Sequence, residues 1–156
     1  IGSRKPPSSG VVQLTASPQA PEFIRDKVHH EAMSGFERLL AAAQAVVAPR
    51  QLTESAVCGT VGAAIETANG DVFVGVCVDT ASSMGFCAEH SAAAAMLTAG
   101  QSQIMRMVAV NRAGAVLAPC GRCREFIIQL DAANADTTVM INIERSISLQ
   151  ELLPFH

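Results

Sequence analysis

The clearest chemical pattern in the chain consists of two short segments, Cys87-Ala88-Glu89 and Pro119-Cys120-Gly121-Arg122-Cys123. Zinc favours tetrahedral coordination by thiolates, and a catalytic zinc site takes three protein ligands and leaves the fourth position to water. Cys87, Cys120 and Cys123 therefore form a candidate ligand set for one Zn²⁺. Glu89 lies two residues from a ligand, out of register to join it on the metal, so it is free to act as a catalytic acid and base.

Hydrophobic periodicity and turn residues around these segments predict alternating helices and strands. Helices are predicted over 35–47, 87–99, 120–130 and 149–153, and strands over 60–66, 72–78, 104–111 and 138–143. Ser34 and Glu37 form a capping box before the first of these helices, and a further helical stretch precedes it from residue 22. Asn69-Gly70 predicts a hairpin turn. This order indicates a partly parallel sheet with helices on its faces.

The predicted helices place the candidate ligands at helix starts. Cys120 and Cys123, at i and i+3, lie on the same side of a first turn, and Cys87 begins the other helix. The positive ends of the helix dipoles then favour thiolates over thiols. Three thiolates with Zn²⁺ leave a net charge near −1, so a nearby cation is useful, and Arg122 and Arg124 are the candidates.

Both cysteine segments resemble the metal motifs of the cytidine deaminase superfamily, in the cysteine-ligand branch that holds the short cytidine deaminases and blasticidin-S deaminase. Residues 60–65 resemble the Val-Gly-Ala-Ala strand of the family, Arg124 matches its Cys-Arg pair, and residues 149–154 resemble its C-terminal helix. The resemblance covers roughly residues 33–156. It implies a three-layer α/β/α fold with a five-stranded mixed sheet, one Zn²⁺ per chain, and hydrolytic loss of ammonia from a pyrimidine-like ring.

The resemblance also suggests roles for residues around the metal. It favours Arg124 as a hydrogen-bond donor to the ligand sulfurs. His90 takes the place where short cytidine deaminases commonly carry arginine, which makes it a second candidate donor.

Substrate recognition is where the chain departs from the family. Cys77 and Asp79 occupy the positions of an asparagine and a glutamate that read the ribose, and Gly59 replaces an aromatic residue that stacks on the pyrimidine. Phe86, next to a ligand, is the aromatic candidate for contacting the substrate, and Ala88 completes the candidate set. A site that reads hydroxyls by hydrogen bonds loses selectivity when those partners are replaced.

Three interpretations of the site remain open at this point. The first is a deaminase of cytidine- or blasticidin-type nucleosides, and the second is a deaminase of free bases such as triazines, aminopyrimidines or purine analogues. The third is a zinc-stabilised binding protein without turnover, with Cys58 or Cys77 as a fourth ligand of a structural site. A proton shuttle at Glu89 favours catalysis, because a structural zinc site needs none.

Composition narrows the class of protein and its partners. The 156 residues suit one domain, and 49% hydrophobic with 16% charged residues argues against overall disorder. A net charge of −3 favours a small-molecule partner over nucleic acid, and no apolar run is long enough to span a membrane. Five cysteines, an odd number, fit reduced thiols in the cytoplasm. The mean hydropathy of +0.30 and the resemblance together indicate a homo-oligomer, expected to be a tetramer.

The first 21 residues differ in amino-acid composition from the rest of the chain. Four of the seven prolines fall within the first 21 residues, together with several Ser and Gly. Residues 1–20 are therefore predicted to be a disordered tail, in which Gly2-Ser3 has the composition of a cloning remnant. Residues 21–156 are predicted to form the zinc-dependent deaminase domain.

Overall fold

A computed structural model describes residues 35–155 of the protein. The predicted tail over 1–20 and the helical stretch from residue 22 lie outside the described residues, and so does Ser34. The predicted capping box is wrong, because the first described helix has its N-cap at Phe36, which makes Glu37 its first residue and not the third. The boundary at residue 20 therefore stays a prediction. Among the described residues, no helix is both long enough and apolar enough to cross a membrane.

Residues 35–155 form one mixed sheet of seven strands with helices packed against it. The elements follow in the order α1 (Glu37–Ala45), β1 (Arg50–Thr53), β2 (Ala56–Thr67), β3 (Val72–Thr80), α2 (Ala88–Thr98), β4 (Ile104–Asn111), β5 (Val116–Leu117), α3 (Gly121–Ile128), β6 (Thr138–Asn142), β7 (Arg145–Ser148) and α4 (Leu149–Leu152). Short 3₁₀ turns occupy Ala81–Ser83 and Ala132–Asp136. All the predicted helices and strands within this range are confirmed, with ends shifted by a few residues.

Helices cover both faces of the sheet, which confirms the predicted three-layer α/β/α fold. Because successive strand residues point to opposite faces, Ala64, Val108 and Val110 pack towards α1, whereas Ile65 and Met107 point the other way. The helices on that second face contribute Ala92, Ala93, Met96, Ile127 and Leu149. Burial of these two apolar layers is the main favourable contribution to folding.

Strand order shows where the predicted sheet was incomplete. The central path runs β1-β2-β4-β6-β7, with β3 paired to β2 and β5 paired to β4. The β4–β6 pair is parallel and the other pairs are antiparallel, as the prediction of a partly parallel sheet requires. The expected count of five strands is wrong, since the sheet has seven. The four strands predicted from periodicity are β2, β3, β4 and β6, and that prediction lacked β1, β5 and β7, which have only four, two and four residues. Such short segments carry too little alternation to be recognised in a sequence.

Helix α2 lies in backbone contact with β3. A Cβ atom added at Gly75 would lie 2.3 Å from the Ala92 nitrogen and 2.4 Å from the Ser91 Cβ, so only glycine fits this position. The Ser91 hydroxyl donates to the Val76 carbonyl at 2.8 Å, which adds a hydrogen bond between the same two elements. This contact fixes the start of α2, and with it the first cysteine motif, against the sheet.

Candidate metal centre and active site

The three predicted ligand thiols lie together at the starts of two helices. Cys87 is the N-cap of α2 and Cys120 the N-cap of α3, both with extended backbone, and Cys123 lies in the first turn of α3. The Cys87 and Cys120 sulfurs are 3.6 Å apart, and those of Cys120 and Cys123 are 3.5 Å apart. All three Sγ atoms lie within 4.8 Å of one another.

This arrangement fits a zinc ion. Tetrahedral coordination with Zn–S distances of about 2.3 Å requires sulfurs separated by about 3.8 Å, close to the observed separations of 3.6 and 3.5 Å. Among residues 35–155, the metal-binding group consists of these three thiols and does not include Cys58 or Cys77. The cluster therefore offers three thiols, the number of protein ligands that a catalytic zinc site takes.

The proton affinities of the three thiols differ. Burial, followed by the hydrogen bond to Cys120, raises the pKa of Cys87 to about 11. Burial, followed by the Glu89 charge, also raises the pKa of Cys123. Burial acts in the same sense on Cys120, but hydrogen bonds from the Cys123 backbone and thiol outweigh it and lower the Cys120 pKa. Metal binding must therefore displace protons from Cys87 and Cys123, which makes zinc affinity depend on pH.

Glu89 lies beside the thiols on the first turn of α2. Only 5% of its surface is exposed, and burial raises the pKa of its carboxyl above the ordinary value. Hydrogen bonds from its own backbone N–H and from the Cys123 thiol offset part of that increase. A buried carboxyl of this kind holds a proton more readily than an exposed one and can both accept and return it.

The two residues expected to donate to the sulfurs are placed differently. His90 Nδ1 lies 3.4 Å from the Cys123 sulfur, and its ring stacks on Phe126 with centroids 4.3 Å apart. Arg124 instead donates from Nε to the Pro119 carbonyl at 2.8 Å and from Nη1 to the Leu152 carbonyl at 3.1 Å. Its guanidinium is thus committed to backbone carbonyls, and it braces the entry to α3 against α4 rather than bonding the sulfurs as expected.

A cavity of about 500 Å³ opens beside the thiols. Its helix wall carries Cys87, Ala88, Glu89, Cys120 and Arg122, and its strand wall is formed mainly by β2 and β3, with one residue each from β4 and β5. The cavity brings together the substrate-contact candidates Cys77, Asp79, Phe86 and Ala88. Cytosine-sized rings and their nucleosides fall within the size range of ligands that such cavities take.

The strand wall carries a chain of polar contacts among Thr60, Cys77 and Asp79. The Cys77 sulfur lies 3.0 Å from the Thr60 hydroxyl and accepts from the Val61 N–H at 3.3 Å. The Thr60 hydroxyl donates to Asp79 Oδ2 at 3.3 Å. The sequence analysis did not identify Thr60, because a threonine in a strand carries no functional signal. Its contact with Cys77 depends on the antiparallel pairing of β2 with β3.

Gly59 shapes the same wall from behind. Its φ is +77°, and an added Cβ would lie 2.4 Å from the Ala48 carbonyl oxygen. The pairing of β2 with β3 shifts register between Cys58 and Gly62, so this glycine sits in a bulge. A side chain cannot be carried here without moving the backbone, so an aromatic contact with the substrate must come from another position.

Comparison with known proteins agrees with the geometry of the site. Residues 33–139 match the family described as cytidine and deoxycytidylate deaminase zinc-binding region. Two curated cytidine deaminases, from Mycobacterium tuberculosis strains CDC 1551 / Oshkosh and ATCC 25618 / H37Rv, are each 34% identical over 70 residues, 44% of this chain. The matched part spans about half of those relatives, 53% of each.

Solved structures extend the likeness to most of the chain. The cytidine deaminase from Mycobacterium tuberculosis superposes with a TM-score of 0.64 and 27% identity, covering 77% of this chain and 94% of that one. The cytidine deaminase from Mycobacterium leprae gives 0.64 and 26%, covering 76% and 97%. The cytidine deaminase from Burkholderia pseudomallei gives 0.59 and 29%, covering 76% and 95%.

Proposed function

Because the chain belongs to the cytidine and deoxycytidylate deaminase zinc-binding family, we propose that it is a zinc-dependent hydrolase that removes an exocyclic amine from a pyrimidine-like ring and releases ammonia. One observation carries the proposal: a buried carboxyl, Glu89, lies beside a three-thiol cluster in a single cavity. The thiols supply a metal site with an open position, and the carboxyl supplies a proton acceptor and donor.

Zinc would be held by Cys87, Cys120 and Cys123. When bound in such a site, zinc makes water acidic enough to act as a nucleophile near neutral pH, because it lowers the pKa of the water to about 7. The protein contributes the geometry, because the two N-caps hold the Cys87 and Cys120 sulfurs 3.6 Å apart, close to the separation that one zinc ion needs. His90 Nδ1, close to the Cys123 sulfur, is placed to support that ligand.

Glu89 would carry the protons of the reaction. Its carboxylate accepts a proton from the attacking water and passes one to a ring nitrogen as the new C–O bond forms. It then takes the remaining proton of the added hydroxyl and gives it to the amine as the C–N bond breaks, so that ammonia leaves. The raised pKa of this buried carboxyl suits both roles, since a general acid and base works best near its own pKa.

Two substrate classes fit the cavity, and the strand wall favours the smaller one. The Cys77 sulfur is already engaged by Thr60 and the Val61 N–H, and a thiol is a weak donor and acceptor. It therefore replaces an amide poorly at a ribose hydroxyl. We expect free aminated bases to compete well with cytidine- or blasticidin-type nucleosides, and Phe86 to supply the aromatic contact with the ring.

The test is ammonia release from a panel of aminated nucleosides and free bases, run on the wild type and on Glu89→Gln. We expect Glu89→Gln to abolish measurable turnover, in line with the roughly 10²- to 10⁴-fold contribution of a general acid–base residue, while keeping about one zinc per chain. Metal analysis accompanies each assay. Loss of zinc in this variant, or turnover at the wild-type rate, would contradict the role of Glu89. An inactive wild type that binds panel compounds would favour a zinc-stabilised binding protein instead.

Assembly and location form a separate part of the proposal. We expect a homo-oligomer, most simply a tetramer, because the chain has a mean hydropathy of +0.30 and exposes Leu52, Ile143 and Phe155. The cytoplasm is the expected compartment, since all five cysteines are free and zinc-binding thiols need a reducing environment. Light scattering on the full chain measures the mass, and a monomer at micromolar concentration would contradict the oligomer.

A further inference from the structure

The segment between β3 and α2, here called the mouth loop (residues 81–86), borders the cavity and leads directly into Cys87. Ser83, Gly85 and Phe86 line the cavity, and Met84 at the tip is 82% exposed. Ser82 and Ser83 both have positive φ, 59° and 56°. Left-handed backbone at two consecutive residues with a Cβ costs free energy, so contacts elsewhere must hold this loop in place.

Backbone contacts fix the base of the mouth loop. The Ala81 N–H donates to the Ser55 carbonyl at 3.0 Å, and Val78 and Phe86 exchange two hydrogen bonds of 2.9 Å. Gly85 lies so close to β3 that an added Cβ would be 2.0 Å from the Val78 oxygen. These contacts all tie the loop to the sheet and its neighbouring turn.

One side-chain contact ties the loop to the other cysteine motif. Arg122 Nη1 donates to the Gly85 carbonyl at 3.2 Å from the first turn of α3. Gly85 lies two residues before Cys87, and Arg122 lies between Cys120 and Cys123. The bond therefore crosses the cavity rim and joins the segment before the first ligand to the helix that carries the other two.

We propose that Arg122 is a positioning residue that latches the mouth loop to α3 and so holds Phe86 on the cavity wall. The sequence suggested Arg122 only as a cation near the metal; the geometry gives it a hydrogen-bonding partner on the loop. The consequence for catalysis rests on the proposed deaminase function, whereas the latch itself does not. Without this hydrogen bond, the mouth loop is more mobile and the substrate binds more weakly, while the proton transfers at Glu89 are unchanged.

Two variants separate the hydrogen bond from other effects of Arg122. Arg122→Met keeps much of the side-chain length but removes the donor, and Arg122→Lys keeps both a donor and the charge. Amide hydrogen exchange on the zinc-loaded full chain measures how often the mouth loop opens, through the exchange rate of the Phe86 N–H. The amide of Ile65 in a core strand serves as internal control. Steady-state kinetics on the best panel substrate reads its effect on the reaction.

In Arg122→Met we expect the Phe86 amide to exchange roughly tenfold faster, the loss expected for one hydrogen bond, with exchange at Ile65 unchanged. KM should rise by a similar factor of roughly ten while kcat stays within about twofold, and Arg122→Lys should restore most of both. The exchange difference should persist at about 1 M salt, where a Debye length of about 3 Å screens an exposed charge.

Several outcomes would overturn the latch. Unchanged exchange at Phe86 in Arg122→Met, a difference that vanishes at high salt, or a fall in kcat with KM unchanged would each do so. Global unfolding of Arg122→Met would also contradict it, because a contact confined to an exposed loop carries no global stability. If the wild type releases no ammonia from any panel compound, the proposed function fails, and the exchange comparison still decides the latch.

Discussion

The two walls of the cavity are built on different principles. On the helix wall, Cys87, Cys120 and Glu89 are placed by the first turns of two helices, so their positions follow from local chain geometry. On the strand wall, Thr60 and Cys77 meet across two strands beside a bulge, and their positions follow from long-range pairing. The helix wall keeps the two metal motifs by which the chain resembles its family, whereas the strand wall carries the departures at the substrate-reading positions Cys77 and Asp79. We therefore expect changes on the helix wall to affect the reaction and changes on the strand wall to affect the choice of substrate.

Replacing one cysteine of the metal cluster and one cysteine of the strand wall gives the largest expected contrast. Cys123→Ala removes a zinc ligand, so we expect loss of bound zinc and a fall in turnover beyond the roughly 10²- to 10⁴-fold effect of losing an acid–base residue. Cys77→Ala, equally buried but on the strand wall, should keep about one zinc per chain. Metal content by elemental analysis and ammonia release check both. Loss of zinc from Cys77→Ala would show that the strand wall also contributes to metal binding, against this expectation.

Selectivity between cytidine and free bases gives the next largest effect. Because Cys77 cannot replace an amide at a ribose hydroxyl, cytidine should be a poor substrate relative to at least one free base in the panel. The missing contact corresponds to about 1–3 kcal/mol, or roughly ten- to a hundredfold in kcat/KM. Cys77→Asn should move the ratio towards cytidine by roughly tenfold, whereas the matched Cys77→Ser should not. If wild-type cytidine turnover exceeds that of every free base by about a hundredfold in kcat/KM, the expectation is wrong and the strand wall still reads ribose.

The smallest expected effect comes from the bulge behind the strand wall, and it is an effect on stability. Gly59→Ala forces a Cβ into the left-handed region and into the Ala48 carbonyl, and should lower the free energy of unfolding by roughly 2 kcal/mol or more. Gly70→Ala is the matched control, since its φ is +83° but nothing lies within 4 Å of an added Cβ. It should cost about 1 kcal/mol. Urea unfolding of both zinc-loaded variants measures the difference, and equal losses would show that Ala48 yields to a side chain.

The sequence predicted the helix wall well because its signals are local. Cysteine spacing of i and i+3, a proline before the helix and an alanine-rich segment ended by Gly100 each depend on a few neighbouring residues. These signals located both N-caps and all three thiols of the cluster. The resemblance supplied what spacing alone does not, namely which reaction such a site would serve.

The remaining features depend on contacts between distant residues. All four residues of β1 are exposed, so its pairing with β2 leaves no apolar alternation to detect. Arg124 was expected at the sulfurs, but the carbonyls of Pro119 and Leu152 take its guanidinium, and the second of these lies 28 residues away. The role of Thr60 likewise appears only once β2 and β3 are paired. Long-range register, rather than residue type, limited the prediction.

The close packing of α2 on β3 at Gly75 limits which part of the cavity could change. An added Cβ at Gly75 would collide with the backbone of α2, so the two elements are in direct backbone contact. Widening the cavity by moving α2 away from the sheet would break this contact. The tip of the mouth loop is subject to no such restriction, because Met84 is largely in solvent, whereas Gly85 at the base of the loop is packed as closely on β3 as Gly75 is on α2. A cavity for a larger or smaller substrate would therefore arise from changes in the length or sequence of the tip of the mouth loop. The depth of the cavity would stay the same.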